Sequence, residues 1–265
     1  MPTFLISDLH LADKGPRDNF VYQGREERFY NFLKFVEVSA GTLLILGDLF
    51  DWWLVPMGVA VAAYLPLIDR LAAMGATWLV GNHDAALVPL MGSALMPAHP
   101  LFQKCCRPFE QVIGGRKFTF LHGHEADPYC CDVNPGIGEI TAIISGLLDD
   151  RNKSPVTRQG HAVSDEFVGT LEKVLTLWRT LTFQNGRQAE MVAGVEKYRQ
   201  AKQAEVVVYG HTHEPGFLGN YHFNTGSWAR QHDTYVVISD GGQASVWEWL
   251  GDKAIPYMTT LSPCR

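Results

Sequence analysis

The sequence predicts an α/β protein. Three observations carry that expectation. Short apolar runs alternate with longer segments of helical period from Thr3 to Glu125. Those runs are apolar throughout, as strands covered on both faces of a parallel sheet must be. Near the C-terminus the pattern changes to alternating strands joined by a glycine turn, which suits antiparallel pairing.

The elements follow in chain order. "TFLIS" (Thr3–Ser7) reads as a buried strand, and Glu26–Val38 as a helix with Phe29, Phe32, Leu33 and Val36 on one face. Thr42–Leu46 is the second strand. Ala60–Gly75 reads as a helix stopped by glycine, with Pro66 marking a kink or a late start. Ala76–Val80 and Lys117–Leu121 are further strands. From Ala126 to about Lys202 no strand is expected. There Ile137, Ile140, Ile143, Ile144, Leu147 and Leu148 form one apolar stripe, and Val163, Phe167, Leu171, Val174, Trp178 and Leu181 another. Residues 126–202 therefore read as a helical insertion within a single domain spanning 1–265. Such an insertion is either a lid over a site or a set of amphipathic helices packing on the core. Strands return at Glu205–Tyr209, Thr234–Ser239 and Ala244–Trp249.

Bulk properties narrow the class. With 265 residues, 46% of them hydrophobic and 19% charged, the chain can build a core that needs no disulfides. The cysteines fall as two adjacent pairs and Cys264, with no CxxC spacing, and read as the reduced thiols of a cytoplasmic protein. The opening "MPTFLISDLHLADKG" has no basic n-region, and an Asp interrupts its apolar stretch, unlike a signal peptide. The run Gly58–Ile68 is shorter than the roughly 20 residues a membrane span needs. Peripheral contact at the inner face of a membrane stays open. A net charge of −6 without a basic block argues against specific nucleic-acid binding.

Function is written at the strand ends. Thr3–Ser7 runs into "DLH", Thr42–Leu46 into "GDLFD", Ala76–Val80 into "GNHD", Lys117–Leu121 into "HGHE" and Glu205–Tyr209 into "GHTH". Alone, Asp-x-His and Gly-Asp read better as turns, "GNHD" as a helix cap and His-x-His as a hydrogen-bonded core pair. Together they hold six of the ten histidines, at the edge where α/β sheets bind ligands. Asp8, His10, Asp48, Asn82, His122, His211 and His213 offer imidazole nitrogens, carboxylate oxygens and an amide oxygen. That set suits Mn, with Fe or Zn as alternatives, and exceeds what one ion needs. Two divalent ions sharing a carboxylate would form a clamp for in-line displacement at phosphorus by an activated water. His124, two residues from His122, satisfies the same spacing.

The ordered set Asp-x-His, Gly-Asp, Gly-Asn-His, His-Gly and Gly-His-x-His, spanning Asp8 to His213, resembles the calcineurin-like metallophosphoesterase superfamily. The glycine turn "NTGSW" (Asn224–Trp228) is similar to one that follows in that family. The resemblance implies a four-layer α/β/β/α sandwich of two mixed sheets flanked by helices. It implies one metal on Asp8, His10, Asp48 and His213, and a second on Asp48, Asn82, His122 and His211. It implies that His83 stabilises or protonates the leaving group, and that Asp84 orients His83. It favours His122 over His124, and leaves Asp51 and Glu125 as supporting or turn residues. "SDLHL" and "GDLFDWW" further resemble the branch of UDP-2,3-diacylglucosamine hydrolases, which split a pyrophosphate and hold acyl chains in a helical insert. That branch typically shows Gly-Asn-Arg-Asp where this chain has "GNHD".

The substrate side is less marked. Phe50, Trp52 and Trp53 could wall the cleft or pack beneath a helix. Among the arginines, Arg230, just after "NTGSW", stands best placed in chain order to meet phosphate oxygens. Rival readings are a nucleotide phosphodiesterase or phosphomonoesterase, and a metal-binding scaffold without catalysis. A protein phosphatase of the superfamily would show Gly-Asp-x-x-Asp-Arg-Gly, from which "GDLFDWW" departs.

Overall fold

Period-two alternation within three of the strands divides their side chains among separate cores. In the computed structural model, which describes residues 1–127 and 187–261, Phe4 and Ile6 of β1 (Thr3–Ile6) face one core and Leu5 another. β2 (Thr42–Ile45) does the same with Leu43 and Ile45 against Leu44. Val206 and Val208 of β7 (Val206–Tyr209) share the second core, while Val207 and Tyr209 join a third. Successive side chains of a strand point to opposite faces, so each strand is covered on both sides. That is why the runs are apolar throughout.

The first sheet has seven strands in the order β12-β11-β10-β1-β2-β3-β4 and the second has five in the order β5-β6-β7-β9-β8. The remaining strands are β3 (Thr77–Leu79), β4 (Cys105–Cys106), β5 (Phe109–Ile113), β6 (Arg116–Phe120), β8 (Gly216–Leu218), β9 (His222–Asn224), β10 (Thr234–Ile238), β11 (Ala244–Trp249) and β12 (Ala254–Pro256). β1 to β3 pair in parallel, as expected, β4 adds a further parallel strand, and β10–β11 form the expected antiparallel hairpin. Both sheets are mixed.

The middle core lies between the sheets and joins Leu5, Leu44 and Leu79 to Phe118, Phe120 and Val208. The first sheet's outer face is covered by α1 (Arg25–Val38), α2 (Met57–Ala63), α3 (Leu65–Ala73) and α4 (Pro100–Gln103). The second sheet's outer face receives Met191, Val192 and Val195 of α5 (Arg187–Ala201). Helix, sheet, sheet and helix stack in that order. These are the four layers of the expected sandwich.

The expected helix Ala60–Gly75 is two helices, broken at Tyr64, with Pro66 in the first turn of the second. Proline has no N–H to give a helix interior, but the first turn requires none. Of the insertion expected over 126–202, α5 is described, and both apolar stripes lie outside the described residues. No helix among the described residues is long and apolar enough to cross a membrane.

Candidate metal centre

Register delivers the site. β1 and β2 run in parallel with Ile6 opposite Ile45, so Asp8 and Asp48 leave the sheet side by side. The two strand exits remain joined, by Asp8 N–H to Gly47 O at 3.1 Å and His10 N–H to Asp48 O at 3.0 Å. In the second sheet Phe120 lies opposite Val208, and Gly210 N–H reaches His122 O at 2.7 Å. The sheets meet at this rim, where His211 N–H donates to Asp8 Oδ2 at 3.0 Å and the Ser7 and Thr225 hydroxyls lie 2.7 Å apart.

The turns are held in an unfavourable backbone region. Asp8, His10, Asp48, His211 and His213 have φ of 56°, 51°, 51°, 69° and 60°. Left-handed backbone is costly for residues with a Cβ and clusters at functional sites. Five of the nine such non-glycine residues described are site candidates. Two glycines make room for them. A Cβ on Gly81 would strike the Asp48 carboxylate, and one on Gly210 would strike Ser7 Oγ and Asp8 Oδ2. The glycines of "GNHD" and "GHTH" are thus required by close approach.

Three groups of candidate ligand atoms result: Asp8, His10 and His213; Asp48, His122 and His211; and His10, Asp48 and His83. In the first, His213 Nε2 lies 3.1 Å from Asp8 Oδ1 and 3.1 Å from His10 Nε2. In the second, His122 Nε2 lies 3.2 Å from Asp48 Oδ2 and 3.0 Å from Asn82 Oδ1. His122 Nδ1 sits 2.7 Å from Leu46 O. Donating that N–H to the carbonyl leaves Nε2 as the nitrogen facing the centre. His211 Nε2 faces Asp127 Oδ2 at 2.9 Å, which leaves Nδ1. All seven expected ligands lie at this one rim.

Residues 1–215 match the family model for calcineurin-like phosphoesterases. The chain belongs to that family. It is similar to the UDP-2,3-diacylglucosamine hydrolase of Photorhabdus laumondii, at 25% identity over 233 residues, covering 81% of this chain and 83% of that protein. A protein of the same name from Histophilus somni is 25% identical over 268 residues, with 93% and 95% covered. Among solved structures, a dimetal phosphatase from Danio rerio shares the fold with a TM-score of 0.53 at 15% identity, covering 99% of each chain. The chain is a phosphoester hydrolase of the metallophosphoesterase type.

Burial strengthens the interactions among the charged groups of this rim. Burial works to raise the pKa of Asp8, but His213 and His10 hold it well below the carboxylate range. Asp48 is likewise held far down, against burial, by His122 and His83. Burial lowers the basicity of His122, yet Asp48 lifts its pKa to about 10. His10 is raised by Asp51 and Asp8 against burial, and burial pushes His213 down to about 4 despite Asp8. Beside these carboxylates, His10 and His122 are both shifted toward the protonated form. Divalent cations would take the place of those protons.

Several expectations are corrected here. Asp84 does not touch His83; its Oδ2 accepts from Trp78 Nε1 at 2.8 Å and Gly81 N at 3.4 Å. Burial, with the nearby Asp48 charge, pushes its pKa well above the carboxylate range. Asp51 takes the contact instead, with Oδ1 2.8 Å from His83 Nδ1 and Oδ2 3.7 Å from His10 Nδ1. Trp52 follows the second of its two readings: half-buried, it stacks on Phe50 at 5.3 Å and packs on the first core. Trp53 is the indole at the site, with its ring 3.7 Å from that of His83. His124 is buried behind the metal centre, 5.4 Å from the His122 ring and 6.3 Å from that of His211. Arg230 is exposed, and its charge reaches His213. Sequence reasoning missed Asp127, which a carboxylate just after "HGHE" could have signalled.

Proposed function

We propose that this phosphoesterase uses two divalent cations, Mn first among them, to hydrolyse a pyrophosphate bond in an acylated nucleotide-sugar. The reading rests on one observation: two groups of buried ligand atoms converge at the rim, and Asp48 lies within reach of both. The residues fit the ions. Asp8 Oδ1 is buried without a hydrogen bond, a costly state that coordination would relieve. In this reading Asp8, His10, Asp48 and His213 hold one ion, and Asp48, Asn82, His122 and His211 the other. When bound, such a pair lowers the pKa of a coordinated water and neutralises charge on the phosphoryl oxygens.

The protein groups then have separate tasks. Asp51 holds His83 by Nδ1, so that Nε2 can pass a proton to the leaving oxygen. Asp127 and the Leu46 carbonyl fix the tautomers of His211 and His122. Arg230 offers its guanidinium to the phosphate beyond His213. Attack by water on one phosphorus breaks the P–O–P link and leaves a nucleoside monophosphate and a sugar phosphate. The names of the aligned relatives support the substrate class. His83, in place of the arginine typical of that branch, supports a second reading: a nucleotide or simple phosphodiester substrate.

A hydrolysis screen with added Mn tests both. An acylated UDP-sugar should turn over with a higher kcat/KM than bis-p-nitrophenyl phosphate or any unacylated nucleotide. A preference for a nucleotide or a simple diester would replace the first reading with the second. No hydrolysis of any of them in Mn, Fe or Zn would overturn both.

A further inference from the structure

We infer that Trp53 is a positioning residue for His83, an inference that rests on the phosphoesterase reading above. The stretch "FDWW" divides its aromatic residues by role. Phe50 and Trp52 stack on one another and on the core that also holds Trp78. Trp53 is half-buried and belongs to none of the three described cores. Its indole instead lies against the His83 imidazole, with centroids 3.7 Å apart and planes 29° from parallel. A tryptophan left out of the core and set flat against a histidine beside the metal centre is not explained by folding alone.

The need for it follows from the other contacts of His83. Its backbone N–H donates to Asp48 Oδ1 at 2.9 Å, which anchors the base of the side chain. Its Nδ1 meets Asp51 Oδ1 at 2.8 Å, which fixes one edge of the ring. A single hydrogen bond to a ring nitrogen still lets the ring swivel about that bond. The perpendicular contact with His10, at 4.5 Å and 88°, limits that swivel. The Trp53 face, nearly parallel to the imidazole, limits it further. Together they fix the ring plane, and with it the direction of Nε2, the atom that must meet the leaving oxygen. A proton donor turned away from its acceptor loses most of its effect, since small misplacements carry large rate costs.

The test is a double-mutant cycle on the Mn-loaded protein, with the substrate it turns over fastest. Trp53→Leu should lower kcat by roughly 10–100-fold while KM and metal content stay near wild type. Trp53→Phe, which keeps a flat ring, should retain most of the rate; Trp53→Met, which loses the ring but keeps bulk, should lose rate as the leucine variant does and carries the cycle if that variant does not fold. In a His83→Ala background, changing Trp53 should cost nothing further, because residues that act as a unit are not additive. With diamagnetic Zn in place of Mn, the His83 ring protons, shielded by the indole, should also move downfield in the NMR spectrum of Trp53→Leu. Equal losses in both backgrounds, or a rise in KM with kcat unchanged, would overturn the positioning role and make Trp53 a structural or substrate-contacting residue. A wild-type protein without hydrolytic activity would instead overturn the phosphoesterase reading, whatever the NMR shift shows.

Discussion

Asp51 Oδ1 lies 2.8 Å from His83 Nδ1, and Asp84, the residue next to His83, points to the Trp78 indole instead. The carboxylate that fixes the histidine therefore comes from the neighbouring strand's loop. Asp51→Asn should keep the fold and lower kcat by roughly 10–100-fold, the usual cost of losing a carboxylate behind a working imidazole. Asp84→Asn should cost less in rate, because the amide oxygen can still accept from Trp78. Steady-state kinetics of the two variants side by side decides the assignment, and a larger loss for Asp84→Asn would reverse it.

Asp48 and His83 should separate metal binding from chemistry. Asp48 Oδ2 lies 3.7 Å from His10 Nε2 and 3.2 Å from His122 Nε2, between the two ligand groups. Asp48→Ala should abolish turnover and leave the purified protein short of metal by elemental analysis. His83→Ala should lose roughly 10²–10⁴-fold in kcat, the range of a general acid, with metal near wild-type occupancy. Metal lost along with rate in His83→Ala would make His83 a ligand of the third group, with His10 and Asp48.

What could be read from sequence was what strand periodicity and strand exits carry. The parallel strands, the hairpin and the convergence of Asp8, Asp48, Asn82, His122, His211 and His213 all follow from apolar runs ending in polar residues. The contacts of Asp51, Asp84, Trp52 and Trp53 do not. After β2 the chain leaves regular structure, so no period says which side chain of "DLFDWW" turns inward. The resemblance implies Asp84 as the partner of His83, but adjacent side chains at this turn diverge, and Asp84 meets the Trp78 indole. β4, β8, β9 and β12 have two or three residues each, too few to show a period. Asp127 is legible only once β6 and β7 are known to pair in parallel, which brings the loop after His124 to His211.

Removing the metal should loosen the rim before it unfolds the cores. The buried Asp8, Asp48 and Asp51 carboxylates then rely on His10, His122 and the other histidines for compensation. A ligand present at 100 times its Kd stabilises the folded state by about 2.7 kcal/mol, which for a domain of this size is a shift of about 5–10 °C in Tm. Calorimetry of chelated protein, titrated back with Mn, should recover that shift. A Tm indifferent to Mn, Fe and Zn would mean that the cluster is held by its own ion pairs.

Gly81 gives the sharpest local test, because it isolates space from chemistry. It carries no functional group, yet a Cβ there would overlap the Asp48 carboxylate. Gly81→Ala must therefore push Asp48 away from His122 or shift the β3 exit away from β2. Overpacking of this kind costs roughly 1–3 kcal/mol. Here the displaced group is the one shared between the ligand groups, so metal affinity should fall more than stability does. Gly58→Ala, on α2 with open space around it, is the control: it should leave metal affinity unchanged and, by helix propensity, keep or slightly raise stability. Metal titrations and thermal melts of the two variants separate the outcomes. If Gly81→Ala binds metal as the wild type does, Asp48 has room to move and its position is not what sets the site.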